Sequence, residues 1–425
     1  MVANQNIRIS KSNSDTVGEI ILGGSKSISN RVLIIQQLCD DHFNIDNLSD
    51  SDDTATLEKL LKSDSNILDA HHAGTTFRFL TAYLSTTNNE VILTGSKRMQ
   101  ERPIKPLVDA LTSLGASITY ESNDGYPPLK IGRSLAALGD TVSLPANVSS
   151  QYISALLMIA PTIKNGLTIT LEGKIVSRPY IEMTLRIMQY FGVSHSWIEN
   201  DIIIKPQKYV AKDFFVESDW SAASYYYILA TLTTGKVDIT LHGLNRESLQ
   251  ADAAISDIAT NFGIDTIYNG NSIRLIKNSN NLPAFFEYDF INCPDIAQSV
   301  STMAAGLGVS LLMSGLITLR IKETDRIAAL KKELKKMKVY LSKLPNKFSE
   351  KSNVEYYMLE GKIDKTVTTP LISTYNDHRM AMAFAPLSIL LPINIEDFNV
   401  VSKSYPKFWE DMKILGVEHT LLSNE

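Results

Sequence analysis

Two stretches of the chain, LTGSKRMQERPIKPLVDALTSLG at residues 93–115 and LEGKIVSRPYIEMTLRIMQYFG at residues 171–192, follow the same plan. Each begins with strand residues that end at a glycine, passes through a polar loop to an Arg-Pro pair, and closes with a helix and a second glycine. Apolar residues recur every three or four positions in each helix, which is typical of a helix with one buried face. The chain therefore contains a repeated unit of strand, loop and helix.

Further copies of this unit occur along the chain. A third copy spans residues 241–263 and a weaker one residues 395–416, while residues 46–61 and 319–337 have the same order without the closing glycine. A single unit cannot bury its apolar stripe alone, so we expect the helices to pack inward around shared cores with sheets outside or alongside. The sequence predicts an α/β protein of six modules grouped into two lobes; chance resemblance among α/β segments is the alternative.

The composition is that of an ordinary globular chain, with 425 residues of which 44% are hydrophobic and 20% charged. The 41 Lys and Arg residues against 46 Asp and Glu residues give a net charge of −5, which disfavours a nucleic-acid partner. The polar residues 1–15 lack the apolar core of a signal peptide. The two cysteines, Cys39 and Cys293, lie in apolar segments, so we expect buried thiols in a cytoplasmic protein.

One uncharged run, residues 302–319, is about as long as a membrane span. It contains Gly306, Gly308 and Gly315, and a charged cluster follows it directly. These interruptions favour a buried helix that breaks into a strand, so we expect no membrane span and no membrane partner.

Lysine and arginine residues recur among Gly, Ser and Thr, which suits phosphate or carboxylate ligands because charge-assisted hydrogen bonds to such anions are strong. The clusters are residues 24–31, residues 73–78, Arg98, residues 322–326, residues 377–379 and Lys403. The first cluster follows a predicted strand and opens a predicted helix, where backbone amides favour an anion. Concentrated cations on an acidic protein indicate small anionic ligands.

Each cluster has a structural alternative when it is taken alone. Residues 24–27 lack the spacing of a P-loop and read by default as a helix cap. Residues 322–326 could form a salt-bridged helix surface, and residues 377–379 a structural helix start. Ser149 is by default a helix N-cap, and the pair His71 and His72 has too few neighbouring ligands for a metal site.

Taken together and in order, the motifs resemble the 5-enolpyruvylshikimate-3-phosphate synthase family over nearly the whole chain. They are LGGSKSISNR at 22–31, AGTTFR at 73–78, LTG, RM and ERP within 93–103, SSQ at 149–151, SRPY at 177–180, PD at 294–295, KETDR at 322–326, NDHRMAM at 376–382 and SKSYP at 402–406. The resemblance implies two lobes, each of three βαβαββ units with helices packed inside, an inside-out α/β barrel. One lobe would comprise residues 1–24 and 218–425 and the other residues 25–217, with the active site in the cleft between them.

The resemblance also implies an activity. The enolpyruvyl group of phosphoenolpyruvate would pass to the 5-hydroxyl of shikimate 3-phosphate, with release of phosphate, in the shikimate pathway to chorismate and the aromatic amino acids. The family works without a metal or organic cofactor, and we expect a monomer.

Site residues are implied by the same motifs. Shikimate 3-phosphate would be bound by Lys26, Ser27, Arg31, Ser149, Ser150, Gln151, Ser177, Tyr180, Asp295, Thr318 and Lys322. Phosphoenolpyruvate would be bound by Lys26, Gly74, Arg98, Gln151, Arg326, Arg379 and Lys403. The catalytic set would be Lys26 and Glu323 as acid candidates, Asp295 as base, and His378. The cations would also stabilise a tetrahedral adduct.

Three positions depart from the family pattern. His72 and Thr318 stand where many members have Asn; both can still donate a hydrogen bond, so we expect altered contacts and not lost activity. Phe79 follows Arg78 where Pro is common, which bears on the position of the helix around Gly74.

Alternatives to this function and to one residue role remain open. A transferase of the same fold that acts on UDP-N-acetylglucosamine is disfavoured, because its loop cysteine has no counterpart near Arg98. A non-catalytic anion-binding paralogue is disfavoured by the complete set of acid and base candidates. Asp295 could be merely the N-cap of a helix over residues 296–304.

Overall fold

The computed structural model describes residues 5–132, 139–147, 149–278, 282–345, 347 and 354–422. The chain divides into two compact units. Unit 1 comprises the residues through Gly23 together with those from Glu217 onward, and unit 2 comprises Gly24–Val216.

Most strands belong to four-stranded sheets. In chain order the strands are β1 (Ile7–Lys11), β2 (Thr16–Ile21), β3 (Ile45–Asp46), β4 (Ile67–Asp69), β5 (Val91–Thr94), β6 (Ile118–Tyr120), β7 (Leu129–Ile131), β8 (Thr141–Pro145), β9 (Leu167–Glu172), β10 (Ser196–Ile198), β11 (Asp201–Ile204), β12 (Phe214–Phe215), β13 (Val237–His242), β14 (Ile264–Asn269), β15 (Ser272–Lys277), β16 (Phe285–Asp289), β17 (Ser310–Ser314), β18 (Tyr340–Lys343), β19 (Tyr357–Glu360), β20 (Leu371–Ile372), β21 (Ile393–Ile395) and β22 (Val417–Leu421).

The four-stranded sheets share one pairing pattern. Their orders are β4-β5-β7-β6 and β8-β9-β11-β10 in unit 2, and β2-β13-β15-β14, β16-β17-β19-β18 and β20-β21-β1-β22 in unit 1. In every case the first two strands are parallel and the later pairs antiparallel. A sixth, shorter sheet in unit 2 pairs β3 with β12 in parallel. Within the described residues, unit 1 thus contains three four-stranded sheets of one topology, and unit 2 contains two of them and this shorter sheet.

The helices alternate between two classes. In chain order they are α1 (Lys26–Leu38), α2 (Asp52–Leu61), α3 (Gly74–Leu84), α4 (Lys105–Ser113), α5 (Ser150–Ile159), α6 (Arg178–Tyr190), α7 (Trp220–Leu232), α8 (Ile255–Thr260), α9 (Ala297–Leu307), α10 (Arg326–Lys335), α11 (His378–Phe384) and α12 (Phe408–Ile414). The odd-numbered helices, here called the central helices, are buried over most of their length, whereas the even-numbered ones bury one face.

The central helices of each unit contact one another, α1 with α3 and α5 in unit 2, and α7 with α9 and α11 in unit 1. The prediction of an α/β fold with inward-packed helices is therefore confirmed. The order β8-α5-β9-α6-β10-β11 gives one complete βαβαββ module. The amphipathic helices recognised in the sequence are the second helices of the modules, such as α4 and α6.

One predicted strand lies elsewhere. Residues 319–337 were expected to begin with a strand, but Ile317–Ile321 form a 3-10 turn and the strand of this module is β17. The strand ends before Gly315, which has a φ of 75°. In the turn that follows, Leu319 is buried whereas Ile317 and Ile321 are exposed, so the apolar run lacks the alternation of a strand.

The uncharged run at residues 302–319 forms the end of α9 and then β17, as predicted. No helix in the part of the chain that the structure describes is long and apolar enough to cross a membrane. Both cysteines are free thiols. Cys293 is buried as expected, whereas Cys39 is only half-buried, so the prediction of burial was wrong for that residue.

The closing glycines have a common backbone conformation. Gly115, Gly192, Gly263 and Gly416 have φ values of 101°, 86°, 80° and 81°, and Lys338 has a φ of 64° at the corresponding place after α10. Val339 N donates to Leu334 O at 3.1 Å, as Val193 N donates to Met188 O at 3.0 Å. Lys338 therefore occupies a helix C-terminal cap that normally takes glycine, because a Cβ disfavours positive φ.

We predict that Lys338→Gly raises the free energy of unfolding by about 1 kcal/mol, because glycine adopts this conformation without strain. Chemical denaturation would measure the change, with the dependence of the unfolding free energy on denaturant concentration compared between the two proteins. The reverse control is Gly115→Ala, where an added Cβ has no atom within 4 Å and only backbone strain should act; it should lower stability by about 1 kcal/mol. A Lys338→Gly protein that is less stable than the parent would contradict this account.

Candidate active site

The start of α1 carries the first predicted site residues. The helix begins at Lys26, and Lys26 Nζ lies 3.5 Å from Asp53 Oδ2 in the first turn of α2. Ser25 precedes the helix but is buried and makes no side-chain capping hydrogen bond. The alternative of a solvated helix cap therefore does not hold. Because its first turn contains no acidic residue, this helix start favours an anion.

Arg31 is anchored inside unit 2. Its Nε donates to Thr184 Oγ1 at 2.7 Å, its Nη1 to Ser27 O at 2.7 Å and its Nη2 to Ser154 Oγ at 3.0 Å. The guanidinium also lies over the ring of Phe79, 5.4 Å from the centroid. Burial lowers the pKa of Arg31 to about 10, so the side chain is still a cation at neutral pH. These bonds hold α1 against α5 and α6.

Two guanidinium groups flank Gly74 at the start of α3. A Cβ on Gly74 would lie 2.6 Å from Arg102 Nη1 and 2.7 Å from Arg78 Nη1, so only glycine fits without displacing a cation. Arg78 donates to Gly74 O at 2.8 Å and lies over the Tyr152 ring. The sequence pointed to Arg78 only as the cation of the cluster at residues 73–78, and the expected substrate contacts included Gly74 but neither arginine. The Arg-Pro pair that recurs in two modules could have drawn attention to Arg102.

The start of α5 is joined to that of α3. Ser149 caps α5 by accepting from Gln151 N at 3.4 Å, in agreement with the N-cap reading of this residue. Gln151 Nε2 donates to Thr75 Oγ1 at 2.9 Å. Ser150, in the first turn, is buried. The hydroxyl and amide groups of this helix start are thus held beside the cations around α3.

The remaining predicted residues of unit 2 lie at the start of α6 and in the loop after β5. Ser177 precedes α6 in a left-handed conformation, with a φ of 56°, and the carbonyl of Tyr180 accepts from Arg31 Nη2 at 3.3 Å. Arg98 is half-exposed and its Nη1 lies 2.9 Å from Glu101 Oε2. The structure thus connects Ser27, Arg31 and Tyr180 through direct contacts, whereas Arg98 belongs to a separate loop.

In unit 1, Arg326 joins three carboxylates. Its Nη1 lies 3.0 Å from Asp295 Oδ1, its Nη2 2.7 Å from Glu323 Oε2, and its Nε 2.7 Å from Asp377 Oδ2. The side chain is only 2% exposed. Although Glu323 is three residues before Arg326, Arg326 is buried and also pairs with Asp295 and Asp377, so the alternative of a salt-bridged helix surface does not hold. Asp325 supplies the N-cap of α10.

Asp295 lies in a 3-10 turn, Pro294–Ile296, ahead of α9. The N-cap of α9 is Ile296, without a side-chain capping bond, so the helix-cap alternative for Asp295 is wrong. Burial opposes ionisation of this carboxyl, but Arg379 at 3.2 Å, Lys322 at 3.5 Å and Arg326 hold the pKa of Asp295 well below its ordinary value. Asp295 is therefore a carboxylate at neutral pH.

The segment before α11 is held in an unusual backbone conformation. Tyr375 and Asn376 have φ values of 54° and 56°. The fully buried Glu333 of α10 accepts from Tyr375 Oη at 2.5 Å, and Lys403 Nζ donates to Asn376 O at 2.7 Å. Strained backbone persists only where such contacts enforce it. Sequence reasoning missed Glu333, although an acid on the apolar stripe of α10 was a usable signal.

Three further predicted residues lie near this network. His378 is buried at the start of α11, with Nδ1 4.0 Å from Asp377 Oδ1. Burial is the main cause that lowers the pKa of Lys322. Thr318 Oγ1 is buried and has no hydrogen-bond partner among the residues that the structure describes. Over those same residues, no group of three or more His, Cys, Asp and Glu side chains is arranged to hold a metal ion.

Comparison with known proteins gives a consistent result. The family model of EPSP synthase (3-phosphoshikimate 1-carboxyvinyltransferase) matches residues 56–412. A 3-phosphoshikimate 1-carboxyvinyltransferase of Bacteroides fragilis is 48% identical over 400 residues, covering 93% of this chain and 95% of that protein. Another from Marinomonas sp. is 35% identical, covering 92% and 95%. The EPSP synthase structure from Acinetobacter baumannii, 21% identical, shares the fold with a TM-score of 0.77 over 99% of this chain and 100% of that one.

We predict that Arg326→Ala lowers the free energy of unfolding by about 3–5 kcal/mol, because it leaves the fully buried Asp377 carboxylate without its closest cation. Thermal and chemical denaturation would measure the loss. The matched control is Arg320→Ala, since Arg320 pairs with Glu355 at a partly exposed position and should contribute less than about 1 kcal/mol. Equal effects of the two substitutions would contradict the structural importance of the buried network.

Proposed function

The chain belongs to the EPSP synthase family, and from this premise we propose which of its residues bind the substrates and move the protons. The protein is a 3-phosphoshikimate 1-carboxyvinyltransferase, an enzyme of the shikimate pathway of aromatic amino acid biosynthesis. The resemblance seen in the sequence is thereby confirmed. The substrates proposed are shikimate 3-phosphate as acceptor and phosphoenolpyruvate as donor.

The observation that carries the residue assignment is the ion network around Asp295. One carboxylate is held by Lys322, Arg326 and Arg379, three cations that the family motifs assign to substrate binding. An anionic donor that binds Arg326 and Arg379 would offset their charge on Asp295. The pKa of Asp295 would then rise and the carboxylate would become a better proton acceptor. Donor binding would thus activate the base.

The proposed reaction proceeds through a tetrahedral adduct. The acceptor's 5-hydroxyl loses its proton to Asp295 and bonds to C2 of phosphoenolpyruvate, while the methylene carbon gains a proton from Lys26 or Glu323. One methyl proton then returns to the deprotonated acid group while phosphate leaves with the proton held by Asp295, and the enol ether product is formed. His378, buried at the start of α11, is proposed as a further catalytic residue.

The acceptor's phosphate is proposed to bind the hydroxyls of Ser149, Ser150 and Ser177. Their positions at the starts of α5 and α6 support this assignment, because helix N-termini favour anions. The further acceptor contacts proposed are Lys26, Ser27, Arg31, Gln151, Tyr180, Asp295, Thr318 and Lys322. The inclusion of Thr318 is supported by its hydroxyl, which has no hydrogen-bond partner within the described residues.

The donor is proposed to bind a set of cations and the backbone of α3. Gly74 supports this role because the absence of a side chain lets the guanidinium groups of Arg78 and Arg102 approach the start of α3. The contacts proposed are Lys26, Gly74, Arg98, Gln151, Arg326, Arg379 and Lys403. We also propose that the protein acts as a cytoplasmic monomer; two free thiols are compatible with a reducing compartment.

We predict release of phosphate from phosphoenolpyruvate with shikimate 3-phosphate as acceptor and not with UDP-N-acetylglucosamine. A coupled phosphate assay with each acceptor would measure the rates. A reaction mixture without phosphoenolpyruvate is the blank. A mixture without acceptor measures the hydrolysis of phosphoenolpyruvate by the protein. A higher rate with the nucleotide sugar would overturn the acceptor assignment, and no turnover with either would favour a binding protein.

We predict that Asp295→Asn lowers kcat by about 100-fold, because a positioned proton acceptor is lost while the shape of the side chain is kept. Steady-state kinetics would give kcat and both KM values. Asp325→Asn is the matched control, since Asp325 is exposed near the network and Asn also caps helices. A near-parental kcat in Asp295→Asn would remove Asp295 from the catalytic set.

A further inference from the structure

A buried acid outside the predicted site reaches it through one hydroxyl. Asp252 lies in the 3-10 turn Ala251–Ala254 of unit 1, and its side chain is almost completely buried. The Ser221 hydroxyl, in the first turn of α7, donates to Asp252 Oδ2. Arg379 Nη2 in turn donates to Ser221 Oγ at 3.1 Å and lies 3.2 Å from Asp295 Oδ2. A continuous chain of contacts therefore runs from Asp252 to the ion network.

We propose that Asp252 is a positioning residue for the donor site, which acts through Ser221 to hold the Arg379 guanidinium in its binding orientation. This inference rests on the proposed role of Arg379 in binding phosphoenolpyruvate. Asp252 itself does not touch the donor in this account.

The direction of the hydrogen bonds explains how the acid acts. A serine hydroxyl has one proton to donate and two lone pairs that accept. Ionised Asp252 can only accept, so the Ser221 proton points toward it and a lone pair of Ser221 Oγ faces Arg379. If Asp252 gains a proton it can donate to Ser221, and the serine proton is then free to turn toward the guanidinium. The orientation that supports Arg379 is lost.

The surroundings of Asp252 place its protonation not far below neutral pH. Burial, followed by the charge of Asp295, raises the pKa of Asp252 to about 6. The other titratable groups that interact with it are Arg379 on α11, Asp219 at the start of α7 and Cys293 before α9. Arg379 opposes the rise and Asp219 adds to it.

A raised pKa also means that ionised Asp252 lowers stability. Its ordinary pKa is 3.8, so the unfolded chain gives up this proton before the folded protein does. Stability from this group therefore falls as the pH rises from about 4 to about 6 and stays lower above that range. A neutral residue of the same shape should leave the fold at least as stable at pH 8, while it removes the charge on which the proposed function depends.

The test is Asp252→Asn, measured between pH 5 and pH 8. We expect KM for phosphoenolpyruvate to rise about tenfold at pH 8, with kcat and the KM for shikimate 3-phosphate changed less than about twofold. The ratio of variant to parental KM should fall toward one at pH 5, where the parental Asp252 is also protonated. Ionisation of the donor's phosphate affects both proteins and cancels in the ratio. A ratio that does not vary with pH would overturn the proposal.

Substitutions of the connecting hydroxyl give a second measurement. Ser221→Ala should raise KM for the donor as Asp252→Asn does, and Ser221→Thr, which keeps the hydroxyl, should restore it. The double variant Asp252→Asn with Ser221→Ala should be no worse than either single one, because both break the same chain. Additive losses would contradict action through Ser221. If Asp252→Asn does not fold, Ser221→Ala and Ser221→Thr alone test the positioning role: equal donor KM values in the two variants would refute it.

Two further variants separate the possible failures. Arg379→Ala must raise KM for the donor; if it does not, the proposed donor site is wrong. If Arg379→Ala raises KM but Asp252→Asn does not at pH 8, the donor site stands and the positioning role is refuted. Asp257→Asn, at an exposed position on α8, should match the parent throughout. Melting temperatures at pH 8 should place Asp252→Asn at or above the parent, and a marked decrease would indicate a merely structural role.

Discussion

The central helices are covered by protein along most of their length, and this burial governs the rest of the molecule. A helix buried all round must be enclosed by elements that each have one apolar face, and the four-stranded sheets and the amphipathic even-numbered helices provide them. Such a helix can present polar side chains and free backbone amides to a ligand only at its ends. Several proposed site residues accordingly lie at the N-termini of central helices, as with Lys26 on α1, Gly74 on α3 and Arg379 on α11. Since that end of a helix is positively polarised, the fold itself favours anionic ligands.

The ion network of unit 1 has a different physical character. Burying charges is costly, and paired buried ions often add little to net stability. The contacts of Arg326 and Arg379 with carboxylates instead fix the cations in place. A cation held by several protein groups needs little reorganisation when charge develops on a bound ligand. Asp295 has a double role in this arrangement, because it orients the cations and is itself the proposed base.

The sequence allowed prediction of those parts of the fold that have a visible period. The stripes of α4 and α6 could be recognised because one face is polar, whereas α7 and α9 contain no charged residue and are buried on nearly all sides. The first strand of the module at residues 319–337 was expected too late in the chain, because apolar residues after Gly315 continue the hydrophobic run of β17. In the site, motif residues such as Asp295 and Arg326 could be named, but their contacts depend on which chain segments meet in space. Glu333 and Asp252 belong to no motif, and only proximity reveals them.

The order of the chain through the two units has a consequence for synthesis on the ribosome. Unit 2 is one continuous stretch, Gly24–Val216, so all its strands and helices are available before most of unit 1 has been made. Unit 1 is split: β1, near the start of the chain, pairs with β21 and with β22, where Ile7 lies opposite Leu421. Both edges of β1 therefore remain unpaired until β21 and β22 have been synthesised. In the nascent chain, unit 2 can thus fold while unit 1 consists of a short first segment and an unfinished second one.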